Sequence, residues 1–312
     1  MRPHFISICA LAALALLATL LGSFAAAQTT PRARQLARGV LTTIPPGLAP
    51  EDTISTHDVV EIRSNPALAW NPEFLAASDT LVGMSSATTF RREVWGLEFS
   101  FKTLRMIEHN GKKVWYLVYR VRNTGASLVP VEDANGAFSV KPGQPKPRRF
   151  VPEFVLESHD RAANGERVQR SYLDRILPSA VAAISRRETP GRMLLNNAEM
   201  ARQMIPVSGE RVDRGLWGVA TWTDIDPRMD FFSIYVGGLT NAYRWEDAPG
   251  AYRPGDPPGR GRSFTRRMLQ LNFWRPGDEF LQSEREIRYG VPLNNAGLYG
   301  VGDGVAHRWV YR

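Results

Sequence analysis

The sequence predicts a mainly β protein: an immunoglobulin-like antiparallel β-sandwich with a short helical insertion near residues 159–204. Three observations lead to it. Runs rich in β-branched and aromatic residues recur between turn-forming Gly, Pro and Asn, the punctuation of strands joined by tight connections. Helical patterning is confined to a short segment after Asn71 and two segments within 159–204, too little for the regular strand-helix alternation of a parallel sheet. No repeat of fixed period is present, which disfavours solenoids and propellers. The 312 residues are 43% hydrophobic and 22% charged, a balance that excludes wholesale disorder and coiled coil.

Residues 1–27 have the layout of a secretory signal: basic Arg2, an apolar core over 8–21, and Ala25-Ala26-Ala27 as a small-residue cleavage site. A membrane span needs about 20 predominantly apolar residues, more than this core supplies, so no transmembrane anchor is expected after cleavage. The single cysteine, Cys9, lies inside that core. Disulfide frameworks, CxxC redox sites and Cys-ligated metals are therefore excluded from the processed chain. Export without disulfides suits a secreted or periplasmic protein of a bacterial envelope. The formal charge of +8 favours anionic surfaces such as lipid head groups, cell-wall polymers and acidic polysaccharides. No nucleic-acid partner is expected, because the chain carries none of the recognisable binding motifs.

Residues 28–57 are rich in Thr, Arg, Ala and Pro and predict a flexible N-terminal arm, with the sandwich domain running over 58–312. A short strand is expected at 59–62. A short helix should begin at Pro72, with Asn71 as its cap. Trp95, Leu97, Phe99 and Phe101 alternate with Gly96, Glu98, Ser100 and Lys102, which is strand periodicity. A second strand over 114–122 places Trp115, Leu117, Tyr119 and Val121 on one face, with Trp95 and Trp115 expected in the core. Between the two strands, Asn110-Gly111 tolerates the positive φ angles of a tight hairpin turn. Another strand follows at 128–131, and the proline-rich run 141–149 is expected to stay unpaired. Helices are predicted at 178–187 and 196–204, the second opening with Asn196 and Glu199 in capping-box spacing. Strands resume at 216–222, 231–239 and 266–274. The Pro/Gly-rich stretch 248–262 should hold no regular structure, and short strands at 286–289 and 305–311 complete the chain.

Asp224, Asp226 and Asp230 form the sharpest candidate for chemistry: three hard-oxygen carboxylates in one inter-strand loop, a composition suited to calcium. Met229 and Tyr235 occupy the positions where an EF-hand has its glycine and its final glutamate, and Arg228 sits among the carboxylates. Turn chemistry and pairing with arginines is the competing reading, and no other cofactor is implied. His57 and His159 each precede an aspartate, but neighbours on a strand point to opposite faces and do not make a dyad. The glycines at 297, 300, 302 and 304 lack the following helix that a phosphate loop requires. Motifs of zinc proteases, α/β-hydrolases and penicillin-binding proteins are missing from the sequence. The expected contact residues are the loop tryptophans Trp70, Trp245 and Trp274 and the cations Lys146, Arg148 and Arg149. A second basic group comprises Arg260, Arg262, Arg266 and Arg267.

The stretches 217–226 (WGVATWTDID), 231–236 (FFSIYV) and 270–279 (QLNFWRPGDE) resemble an uncharacterised group of exported bacterial proteins of unknown function. The resembling stretches lie within residues 217–279. It implies export and carries no catalytic residue. The sequence thus predicts a non-enzymatic envelope protein that binds a polymer, a polysaccharide or a protein partner. A polymer hydrolase built from dispersed carboxylates is the alternative.

Overall fold

An Asn-Gly pair sets the register of the first sheet. Asn110 and Gly111 take φ of 50° and 70°, as a type I′ turn requires, and join β4 (Arg105–His109) to β5 (Lys112–Arg122). The structure is a computed structural model that describes residues 41–54, 92–250, 260–277, 279–280 and 282–312. The expected signal segment, the expected strand at 59–62, the expected helix after Asn71, His57 and Trp70 lie outside the described residues.

β3 (Glu98–Phe101) continues the first arm of the hairpin, but with a phase change. Phe101 lies opposite Tyr119, whereas Arg105 lies opposite Tyr116, so residues 102–104 face only 117–118. That is a β-bulge. It moves the inward-facing positions from Leu97, Phe99 and Phe101 to Leu104 and Met106, all buried. The expected alternation therefore holds up to Phe101 and then changes parity. β1 (Thr42–Ile44) pairs with β3, and β12 (Leu216–Trp222) pairs with the far edge of β5. A Cβ on Gly218 would lie 2.5 Å from Tyr119 Cζ, so the tyrosine ring requires glycine at this crossing.

The second sheet runs β10 (Ser171–Leu173), β9 (Glu153–Ser158), β13 (Phe231–Gly237) and β15 (Arg262–Trp274). β17 (His307–Tyr311) and β16 (Arg288–Tyr289) follow on the far edge of β15. β14 (Tyr243–Asp247) pairs with the first part of β15. One apolar cluster unites the two sheets: Tyr119 meets Phe154 at 4.9 Å between ring centroids, Trp115 meets Phe232 at 5.6 Å, and Phe101 meets Phe273 at 6.2 Å. The protein is mainly β, with 42% strand against 13% helix and antiparallel pairing in every strand ladder described. Two small sheets flank this core, one of β2 (Val94–Trp95), β6 (Ser127–Glu132) and β7 (Phe138–Pro142), the other of β8 (Arg148–Arg149) and β11 (Met204–Ile205). Among the described residues, no helix is long and apolar enough to cross a membrane.

The helical insertion covers the outer face of the first sheet. α2 (Pro178–Glu188) lays Ala180, Val181 and Ile184 on Val114, Tyr116, Val118 and Val219, so β5 is buried on both faces and reads as a nearly continuous apolar run. α3 (Asn197–Arg202) opens with the expected capping box. Asn196 Oδ1 accepts from Glu199 N at 3.0 Å, and Glu199 Oε2 accepts from Asn196 N at 2.9 Å.

Three local expectations change. The β-branched run Thr42–Ile44 supplies an edge strand, and α1 (Pro50–Ile54) buries Asp52, so residues within the expected arm 28–57 already belong to the fold. The run 141–149 is partly paired, because Lys141 and Pro142 end β7 on a sheet edge, where proline's missing N–H costs nothing, and Arg148–Arg149 form β8. Met204, expected at a helix end, instead pairs with Arg149.

Candidate binding surface

The ribbon of β14 and β15 gathers aromatic and cationic side chains on one face. Tyr243 lies opposite Arg266, Trp245 opposite Phe264, and Asp247 opposite Arg262. Directly opposed residues share a face, so these six stand together, while Arg244, Glu246, Ser263 and Thr265 occupy the reverse. Arg266 makes backbone hydrogen bonds to Arg312 at 2.8 and 3.2 Å. From Arg266 toward Arg262 the ribbon is only two strands wide among the described residues.

Each ring on this face is held in place. The Arg262 guanidinium sits 3.3 Å from the Trp245 ring centroid and donates to both carboxylate oxygens of Asp247, at 2.9 and 3.0 Å. Arg92 stacks 3.6 Å from the Tyr243 centroid and donates to the Tyr243 and Asn241 carbonyls at 3.1 and 3.0 Å. Phe264 lies 5.9 Å from Tyr243 and remains 60% exposed. Arg266 is exposed beside it.

The root of the ribbon is fixed by a buried carboxylate. Asp52 has no exposed side-chain surface; Arg267 and the Tyr311 hydroxyl contact its oxygens, and Arg244 lies 3.8 Å away while stacking 4.0 Å from the Tyr311 ring centroid. Burial and the Asp52 hydrogen bond push the Tyr311 hydroxyl up to about 12.

The expected contact residues are dispersed. Trp245 lies on a strand, half-buried, with one ring face covered by Arg262, because the Pro/Gly-rich run after it is flanked by paired strands. Trp274 ends β15 with Arg288 at 5.7 Å from its ring. Lys146 and Arg148 both bind Glu93, at 3.2 and 2.5 Å, while Arg149 is exposed on β8. Tyr243, Phe264 and Arg92 escaped sequence reasoning. The alternation Tyr243-x-Trp245 and Arg262-x-Phe264-x-Arg266 was the available signal for the ribbon face.

The three loop aspartates do not converge. Asp224, at φ 60°, pairs with Lys112 at 3.0 Å. Asp226 accepts from Arg228 at 2.9 Å and lies 3.0 Å from Arg170, and the Arg228 hydrogen bond leads in holding its carboxyl down to about 2. Asp230 is raised, first by burial and then by Asp160. Buried Arg275 donates to the carbonyls of Pro227 and Met229 beneath the loop. The arginines thus use the oxygens a cation would need, and among the described residues no set of three or more His, Cys, Asp or Glu side chains forms a metal-binding group.

A buried polar network crosses the outer face of the second sheet. Arg167 donates to His159 Nδ1 at 2.5 Å, so Nε2 carries the proton and donates to Ser233 Oγ at 2.7 Å. Ser233 then donates to Asn272 Oδ1 at 2.8 Å, and Asn272 Nδ2 donates to the Val305 carbonyl at 3.0 Å. A serine nucleophile needs an imidazole that accepts its proton; here the imidazole donates, and both side chains are buried. The network therefore joins β9, β13 and β15 and does not activate Ser233. Burial first, then Arg167, Arg312 and Arg308, lower His159 to about 4.

Comparison with family models, curated proteins and solved structures returned no match to this chain.

Proposed function

We propose that the protein is an exported, non-enzymatic binding protein of the bacterial cell envelope that makes its contact through the ribbon face. The observation that carries this reading is Phe264, 60% exposed between Arg262 and Arg266 on a face shared with Tyr243 and Trp245. Apolar and cationic groups presented together on a held backbone suit an extended anionic partner. The signal-like N-terminus and the resemblance of 217–226, 231–236 and 270–279 to exported proteins support a secreted or periplasmic location. Two antiparallel sheets around one aromatic core support an immunoglobulin-like sandwich as the scaffold.

The test is a melting panel of purified protein with acidic polysaccharides, neutral polysaccharides and anionic lipid. A ligand that binds only the folded state stabilises it by about 2.7 kcal/mol at a hundred times its Kd. The melting temperature should rise with an anionic ligand and not with a neutral one, and Arg266→Glu should remove the rise. A rise that survives Arg266→Glu places the contact elsewhere and overturns the reading.

A further inference from the structure

Resting on the reading that the ribbon is the contact surface, we propose that its partner is the surface of an anionic lipid bilayer. A sugar or a base stacks on an open ring face. In this ribbon a guanidinium already covers one face of each of the two large rings, Arg262 at 3.3 Å from Trp245 and Arg92 at 3.6 Å from Tyr243. The ring edges and the exposed Arg266 guanidinium remain to meet the partner. Amphipathic rings of this kind settle at the head-group level of a bilayer, with nearby cations on the phosphates.

Phe264 supplies the apolar element. It sits between Arg262 and Arg266 on one face of β15 and is 60% exposed, so it reaches the acyl boundary while Arg266 reaches the phosphates. Arg266 has no ion pair among the described residues. The chain's charge of +8 complements an anionic leaflet. The anchored root at Asp52 lets the ribbon dock without first being ordered.

The experiment is cosedimentation of the protein with vesicles of phosphatidylcholine alone and of phosphatidylcholine mixed with phosphatidylglycerol, at low and high salt. The protein should pellet with the mixed vesicles, weakly at high salt, and stay in solution with the neutral ones. Arg266→Ala should lower partitioning about fivefold, the worth of one basic residue near a charged surface, and Phe264→Ser should lower it further. Both sites are exposed, so unchanged melting temperatures exclude misfolding. An environment-sensitive dye on Phe264→Cys, in a Cys9→Ser background, should shift to the blue on anionic vesicles and be quenched from within the lipid.

Failure to pellet with the mixed vesicles, alongside an Arg266-dependent melting rise with an acidic polysaccharide, overturns the lipid assignment and leaves the ribbon reading standing. Vesicle binding that neither ribbon substitution weakens overturns both.

Discussion

Lys102 reaches Glu188 across the outer face of the first sheet, its Nζ donating to the Glu188 carbonyl at 2.7 Å and lying 3.3 Å from Oε2. Lys102 belongs to the three-residue side of the bulge, and Glu188 is the last residue of α2. The extra residue that shifts the strand's phase thus also supplies the group that clamps the helix. Tyr116 completes the clamp by donating to Glu188 Oε1 at 2.7 Å.

Glu188→Ala should destabilise the protein by about 3 to 5 kcal/mol, because it leaves the Tyr116 hydroxyl unpartnered and Lys102 without a counter-charge inside the packed layer, bonded only to the backbone carbonyl at 188. Lys102→Ala should cost less, since Arg105 at 3.6 Å and Arg187 at 3.7 Å still face the carboxylate. Urea unfolding of the two variants checks the order, and equal losses would show that the lysine alone neutralises the carboxylate.

Gly218→Ala and Gly111→Ala should both destabilise, for different reasons. The Gly218 Cβ collides with the Tyr119 ring and should cost about 1 to 3 kcal/mol as overpacking. At Gly111 nothing lies within 4 Å, and only the φ of 70° is strained, so the cost should be about 1 kcal/mol. Replacing Tyr119 with a smaller residue should reduce the first penalty and leave the second unchanged in a double-mutant cycle.

His159 should make the protein acid-sensitive. Its imidazole is held near 4 in the folded state against an ordinary value of 6.5. Between those values the unfolded chain takes a proton that the folded chain refuses. Stability is therefore full above 6.5 and falls as the pH drops toward 4, by about 3 kcal/mol in total. His159→Gln should flatten melting temperature against pH in this window; an unchanged slope would assign the acid sensitivity to other groups.

Asp226→Asn should cost about 1 kcal/mol through loss of its partly exposed pairs with Arg228 and Arg170. The loss should be the same in calcium and in chelator. A calcium-dependent melting rise in the parent, absent from the variant, would restore the cation reading of the loop.

What was legible in the sequence was local. Asn110-Gly111 and the Asn196/Glu199 box each satisfy their own backbone within a few residues, so composition alone declares them. The inward set Trp115, Leu117, Tyr119 and Val121 was equally plain, because one strand's period decides it. The bulge was not, since it exists only as a mismatch between two strands. Asp52 looked like part of a polar arm because its partners, Arg267 and Tyr311, lie more than two hundred residues away. The aspartate loop kept a metal site as one of its two readings because Lys112 and Arg170, which with Arg228 take up its carboxylates, lie far from it in sequence. The Pro/Gly run after Trp245 concealed that its flanks pair, and with it the ribbon face.

β15 is one uninterrupted strand from the two-stranded ribbon into the middle of the second sheet, where β13 lines one edge and β17 the other. A pull on the ribbon along that strand loads both ladders in shear, so many hydrogen bonds resist together and do not unzip one at a time. Tension applied at the ribbon therefore passes straight to the core, and should be relieved only when the sheet itself slides.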